Sequence, residues 1–319
     1  MRPVVWITRQ LVQPAMDAVA ADFDVITNPT DAVMDGDALV AASHQCDAML
    51  ICHSELITAE VAARLSPRLK IIANYSVGVD HVDLAACQAR GIVVTNTPDV
   101  LSDATAEIGL LLLLGAARRA YEGDRMVRQG LWTTWGPTLM NGIQVTGKRL
   151  GIVGMGRVGQ VLAKRARGFD MEIHYHNRKS LDETLVPGAI YHSTLESLMR
   201  SVDMLSLNCP ATPDTERMIN AQSLAWLRPG AIIVNAARGK LVDEDALIAA
   251  LQSGHIAAAG LDCFVNEPGG NPKFAALDNV FLLPHLGSST NETRLAMGQR
   301  ALLNLNAYFC GELPPDRLV

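Results

Sequence analysis

Gly151-Ile152-Val153-Gly154-Met155-Gly156-Arg157-Val158-Gly159 places Gly154, Gly156 and Gly159 in the spacing G-x-G-x-x-G, directly after an apolar run. The segment that follows, residues 158–167, has a helical pattern. Strand, glycine turn and helix in that order make a phosphate cradle. Gly154 permits the tight turn, Gly156 lets the backbone approach a pyrophosphate, and Gly159 lets the helix pack close to the strand. The helix start, at Arg157 and Val158, offers N–H groups and partial positive charge to an anion. The stretch therefore predicts a dinucleotide site.

The end of the next strand decides which dinucleotide fits. An NAD site usually places an acid roughly 20 residues past the glycines, for the ribose 2′-hydroxyl. Here the segment reads His176-Asn177-Arg178-Lys179-Ser180, without an acid. Arg178, Lys179 and the Ser180 hydroxyl suit a 2′-phosphate, which a carboxylate would repel. NADPH (NADP) is the favoured cofactor, and use of NADH (NAD) stays open.

Outward from this turn, residues 149–153, 172–176, 204–207, 231–235, 258–261 and 280–283 read as apolar strands. Upstream, residues 4–8, 24–27, 48–52, 71–74 and 93–95 repeat that texture. Helical stretches near 14–22, 35–43, 59–65 and 83–90 separate them. Such alternation implies parallel sheets with helices on both faces. The expected class is α/β, with two doubly wound parallel-sheet domains, the second of Rossmann type. Between the two series, Ser102 or Asp103 can cap one long helix over about 104–129, with Glu107 in its first turns. Its middle, residues 108–117, is apolar on nearly every face, which predicts burial between domains or subunits. Residues 131–144 read as a loop with Trp132 and Trp135, and residues 291–310 as a last helix.

Three polar islands follow strands of the second series: Asn235-Ala236-Ala237-Arg238-Gly239, then Asp262 to Pro268, then Pro284-His285-Leu286-Gly287-Ser288. Open α/β sheets build their sites at such strand ends. The islands supply a guanidinium, two carboxylates and an imidazole. Reduction of a 2-oxo acid needs these types: a fixed cation for the carboxylate and ketone, and a proton donor for the alkoxide formed as hydride arrives.

With these islands the chain resembles the D-isomer-specific 2-hydroxyacid dehydrogenases, and within them the glyoxylate/hydroxypyruvate reductases. The resemblance spans essentially the whole length. It rests on Asn74-Tyr75-Ser76-Val77-Gly78-Val79-Asp80, the glycine fingerprint and the three islands in order, with Trp132-Thr133-Thr134-Trp135 similar to that branch. It implies a flavodoxin-like substrate domain of residues 1–97 and 287–319, a cofactor domain of 98–286, and a cleft between them. It implies NADPH-preferring reduction of glyoxylate or hydroxypyruvate.

The resemblance also implies roles. Arg238 grips the substrate carboxylate and ketone. His285 is the general acid in reduction, and Glu267 orients its ring and favours its charged form. Asp262 lies near the nicotinamide ribose or carboxamide. The backbone of Val77 and Gly78 meets the substrate carboxylate, and Thr105 approaches the cofactor. Cys209, Pro210 and Thr215 flank its adenosine end, while Ala236, Ala237 and Gly287 line it. A D-lactate dehydrogenase or 2-ketogluconate reductase stays open as an alternative, as does a dehydrogenase-like corepressor. An acid at Glu267 disfavours a formate dehydrogenase, and the basic loop disfavours a phosphoglycerate dehydrogenase.

The composition agrees. A chain of 319 residues, 49% hydrophobic and 19% charged, suffices for two cores. Its net charge of −6 disfavours nucleic acid, and Lys164, Arg165 and Arg167 read as a solvated helix face. No metal site is expected, because none of the six cysteines forms C-x-x-C and His44, Cys46, Cys52 and His53 do not have zinc spacing. The absence of a leader-like start and of a membrane-length apolar run predicts a cytoplasmic protein without a membrane partner. The apolar helix and the tryptophan loop, together with the resemblance, predict a homodimer joined through the cofactor domains, with Trp132 or Trp135 directed at the partner's site.

Overall fold

The structure, a computed structural model, describes residues 2–319. The chain forms two compact units: residues up to Leu101 together with Ser288–Val319, and Ser102–Gly287.

The first unit alternates β1 (Val4–Ile7), α1 (Gln13–Asp22), β2 (Asp24–Thr27), α2 (Gly36–Ser43), β3 (Ala48–Ile51), α3 (Ala59–Arg64), β4 (Ile71–Asn74), α4 (Leu84–Ala89) and β5 (Val93–Thr95). Helix starts follow the capping residues. Asp35, Thr58 and Asp83 each accept an N–H of the first turn of α2, α3 and α4. All strand pairings are parallel, in the order β2-β1-β3-β4-β5. Every residue of β3 and β4 is buried, as central strands covered on both faces require.

The second unit holds α5 (Ser102–Ala117), α6 (Ala120–Arg128), β6 (Arg149–Val153), α7 (Arg157–Ala166), β7 (Glu172–His176), β8 (Ile190–His192), α8 (Leu195–Ser201), β9 (Met204–Leu207), α9 (Ala221–Leu224), β10 (Ala231–Asn235), α10 (Glu244–Gln252), β11 (Ile256–Leu261), α11 (Pro272–Ala275) and β12 (Val280–Leu282). Its sheet is wholly parallel, in the order β12-β11-β10-β9-β6-β7-β8. The order reverses between β6 and β9, the switch point at which such sheets bind ligands. Ile152, Ile232 and Ile233 are fully buried in its cores, and truncating one such side chain to Ala costs roughly 2–5 kcal/mol. The final helix, α12 (Asn291–Phe309), belongs to the first unit and packs on α1 and β4.

The α/β class with two parallel sheets is as expected. The single helix over 104–129 is not. It starts at Ser102, so Ser102 and Asp103 lie inside its first turn, and it stops at Ala117. Arg119 is left-handed at φ 56°, and α6 starts anew after it. The cause is distant in sequence: Ile143 N–H donates to the Ala117 carbonyl at 2.7 Å and takes a helix-end acceptor. The Arg119 guanidinium then grips both Glu122 oxygens, at 2.8 and 2.6 Å. The apolar stretch 108–117 is not buried on every side, since Leu111 is 46% exposed while Leu112, Leu113 and Ala116 are buried in this unit's own core. Small residues allow that approach. A Cβ at Gly115 would stand 2.5 Å from the Phe281 ring. Strand β8 has no counterpart among the strands expected from the sequence; it is a three-residue edge strand.

Candidate active site

The glycine turn joins β6 to α7. Gly154 is left-handed at φ 94°, and a Cβ there would stand 2.6 Å from Cys209 N. Met155 N–H donates to Asn177 Oδ1 at 2.7 Å, which ties the turn to the end of β7. Gly159 sits in the first turn of α7, where a Cβ would overlap the Gly154 carbonyl oxygen. Gly156 and Arg157 are exposed and Val158 is half-buried at the helix start, while Arg178, Lys179 and Ser180 are exposed past β7. After β9, Thr215 Oγ1 donates to the Pro210 carbonyl at 2.8 Å and accepts Thr212 N–H at 2.8 Å. Burial pushes the neighbouring Cys209 thiol up to about 11.

The three islands follow β10, β11 and β12 of the same sheet. β10 ends on Asn235, which is buried. Its Oδ1 accepts Ala237 N–H at 3.1 Å and its Nδ2 donates to the Arg238 carbonyl at 2.8 Å, so one side chain clamps the turn that carries Ala236, Ala237 and Arg238. Arg238 Nη1 donates to the Ala237 carbonyl at 2.7 Å. A Cβ at Gly239 would overlap the Phe264 carbonyl carbon, so the second island lies directly against the first. There Phe264 N–H donates to Glu267 Oε1 at 2.7 Å. Glu244 braces the same loop, accepting Val265 N–H at 2.8 Å and Asn271 Nδ2 at 3.0 Å.

Glu267 Oε2 lies 2.6 Å from His285 Nδ1. A carboxylate only accepts, so Nδ1 carries the hydrogen, and Nε2 is the ring nitrogen that does not face Glu267. His285 is left-handed at φ 56°. The next two peptide N–H groups are splinted by Asp262, whose Oδ1 accepts Leu286 N–H at 2.6 Å and whose Oδ2 accepts Gly287 N–H at 2.9 Å. Burial raises the Asp262 carboxyl above the ordinary aspartate range, against the pull of those two donors. Thr105 on α5 completes the group: a Cβ at Gly287 would meet Thr105 Oγ1 at 3.4 Å. Within this unit, Arg238, Asp262, Glu267, His285, Thr105 and Gly287 thus gather at the carboxyl ends of β10 to β12.

Val77 and Gly78 belong to the first unit, in the loop after β4, and Val77 is exposed. The Val77 carbonyl accepts Asn96 Nδ2 and the Gly78 carbonyl accepts Asn74 Nδ2, each at 2.9 Å.

Residues 110–287 match the family described as D-isomer specific 2-hydroxyacid dehydrogenase, NAD binding domain. The chain is 43% identical to a glycerate dehydrogenase of Hyphomicrobium methylovorum, over 96% of this chain and 95% of that protein. It is 42% identical to a glyoxylate reductase of Pyrococcus furiosus, over 99% and 95%. The chain belongs to the D-isomer specific 2-hydroxyacid dehydrogenases. A crystal structure of an NADPH-dependent glyoxylate/hydroxypyruvate reductase from Sinorhizobium meliloti, in complex with NADP and malonate, superposes with a TM-score of 0.90 at 32% identity, covering 100% of this chain and 97% of that one.

Membership makes this dehydrogenase a nicotinamide-dependent oxidoreductase, and its turn fits the dinucleotide. Gly156 has φ −78° and ψ −159°, which any residue adopts, and a Cβ there would meet nothing within 4 Å. No protein atom crowds this position, which leaves room for a phosphate to approach the α7 N-terminus. Two supporting residues of the dehydrogenase, Asn235 and Glu244, receive no role from the sequence alone. Asn235 had a signal, as a polar residue closing an apolar strand. Glu244 had none, because its partners lie more than twenty residues away.

Proposed function

We propose that this dehydrogenase reduces small 2-oxo acids, glyoxylate and hydroxypyruvate, and prefers NADPH. The reaction rests on the 2.6 Å pairing of Glu267 with His285 Nδ1. The nicotinamide supplies hydride to the ketone carbon when bound. His285 delivers the proton from Nε2 to the resulting alkoxide, and Glu267 stabilises the charged ring beforehand. Arg238 holds the carboxylate and polarises the ketone oxygen through its planar fork. Val77 and Gly78 N–H groups bind the same carboxylate. We assign substrate recognition to residues 1–97 with 287–319, and cofactor binding to residues 98–286.

Glyoxylate and hydroxypyruvate appear in the names of relatives, and their small size suits the reading. A steady-state panel of glyoxylate, hydroxypyruvate, pyruvate and 2-ketogluconate, each with NADPH and with NADH, tests it. The first two should show the highest kcat/KM. Superior turnover of pyruvate or 2-ketogluconate would move the enzyme to a neighbouring specificity.

Cofactor preference rests on Arg178 and Lys179, which are exposed beside Asn177 with no acid in that stretch. Changing both to Ala should raise the KM for NADPH by about tenfold or more, since each charge-assisted bond contributes roughly 1.5–3 kcal/mol. The KM for NADH should barely move. Equal changes for both cofactors would end the assignment.

The enzyme acts as a homodimer in the cytoplasm, where its six unpaired cysteines suit a reducing medium. No described helix is long and apolar enough to cross a membrane. The dimer reading comes from surface chemistry. Helix α6 buries none of its residues, and Val127, Leu131, Trp132 and Trp135 are 62, 62, 57 and 77% exposed. A recess of about 410 Å³, lined in part by Arg119, Tyr121, Asp278 and Phe281, opens at the amino ends of β11 and β12, away from the catalytic islands. Several large apolar side chains exposed along one helix and the loop after it are the kind of surface that marks an interface. Trp132 or Trp135 then reaches the partner's site and restricts it to small substrates. Light scattering should report a dimer at micromolar concentration, and Trp135→Ala should weaken it or broaden the substrate panel. A monomeric wild type sinks the dimer. A dimeric variant with unchanged preference removes Trp135 from the partner's site.

A further inference from the structure

The loop Ser76-Val77-Gly78-Val79 leaves the carboxyl end of β4, beside β5. The register pairs Ala73 with Thr95, so Asn74 and Asn96 follow side by side at that edge. Both asparagines donate into the loop. Asn74 Nδ2 donates to the Gly78 carbonyl at 2.9 Å and to the Ser76 carbonyl at 3.3 Å. Asn96 Nδ2 donates to the Val77 carbonyl at 2.9 Å, and Thr97 N–H to the Ser76 carbonyl at 3.1 Å. Three consecutive carbonyls are therefore held toward the sheet edge.

A trans peptide is planar, and its C=O and N–H point in opposite directions. Pinning the carbonyls of residues 76, 77 and 78 turns the N–H groups of Val77, Gly78 and Val79 away from the asparagines. Successive N–H groups directed outward in this way form a concavity for an anion. The amide of Asn74 is itself oriented. His81 Nε2 lies 3.0 Å from Asn74 Oδ1, which can only accept, so the ring N–H holds the oxygen and the NH₂ faces the loop. Asn74 is fully buried, which fixes it further.

We infer that Asn74 and Asn96 are positioning residues that aim three N–H groups, including that of Val79, at the substrate carboxylate. This rests on the proposed role of the loop in carboxylate binding and adds what sets its direction. Neither asparagine touches the substrate. They act by holding carbonyls away from it, and removing either lets a carbonyl oxygen turn toward the bound carboxylate.

Such binding is shared by ground state and transition state, so its loss appears in KM more than in kcat. Asn96→Ala should raise the glyoxylate KM and the competitive inhibition constant of oxalate together, each by about tenfold. kcat should stay within about threefold, and the NADPH KM should be unchanged. Asn96→Asp should be worse, because its carboxylate faces the Val77 carbonyl and adds negative charge behind the loop. Asn74→Asp should follow the same pattern if it folds; Asn96, less buried, carries the test if it does not. Unchanged oxalate inhibition in both Asn96 variants would overturn the inference. So would a parallel loss of kcat, oxalate affinity and NADPH affinity with a lowered Tm, which marks general damage. A wild-type enzyme that oxalate does not inhibit, and that does not reduce 2-oxo acids, would instead remove the carboxylate reading on which the inference stands.

Discussion

His285→Ala is expected to lower kcat for glyoxylate reduction by about 10²–10⁴-fold, the usual contribution of a positioned general acid. The imidazole is 30% exposed, so its loss opens no core cavity and Tm should hold. Cofactor contacts proposed for the glycine turn and the 177–180 segment lie on other strands, so the NADPH KM should stay within about twofold. Glu267→Gln should give an intermediate loss. In Glu267 one oxygen accepts Phe264 N–H and the other accepts the ring Nδ1–H. An amide has one oxygen, so one donor must then face NH₂. Asp262→Ala leaves the imidazole present but removes both acceptors from the peptide bonds that follow it, and kcat should fall here too. Rapid-mixing single-turnover measurements separate the chemical step from product release. An undiminished chemical step in His285→Ala would remove it as the acid, and a proportional loss of NADPH affinity would make it a structural residue.

Much of this was legible because the relevant signals are local. Strands β3, β4 and β10 are buried along their whole length, and continuous apolar runs are how such strands appear in sequence. The islands were visible because each begins where such a run stops. What stayed hidden depends on contacts across many residues. The end of α5 is set by the Ile143 N–H, 26 residues after Ala117, while Arg118 and Arg119 are good helix formers that give no stop signal. The proposed roles of Asn74 and Asn96 emerge only once β4 and β5 pair in register. Asp262 could be singled out in the sequence, but not the engagement of both its oxygens by the backbone after His285.

Gly156→Ala separates what the fold needs from what the ligand needs. The backbone there, at φ −78°, suits alanine, and the added Cβ has no protein atom within 4 Å. A compatible Gly→Ala change stabilises by roughly 0.4–1 kcal/mol through the unfolded chain. Alanine is a poorer N-cap than glycine by something of the same order. The two effects nearly cancel, so Tm without cofactor should stay within a few degrees of wild type. The methyl group nevertheless stands at the start of α7, where the pyrophosphate must approach the backbone most closely. KM for NADPH and for NADH should both rise by about 10–100-fold, or roughly 1.4–2.8 kcal/mol of lost binding. Gly154→Ala is the counter-example. There the chain is left-handed and the Cβ would press on Cys209 N at 2.6 Å, so that variant should lose Tm along with cofactor affinity. Thermal melts with and without NADPH, beside the two KM values, decide the matter. A Gly156→Ala enzyme that keeps wild-type cofactor affinity would remove that glycine from the phosphate cradle. One that melts as early as Gly154→Ala would mean that the glycine serves the fold after all.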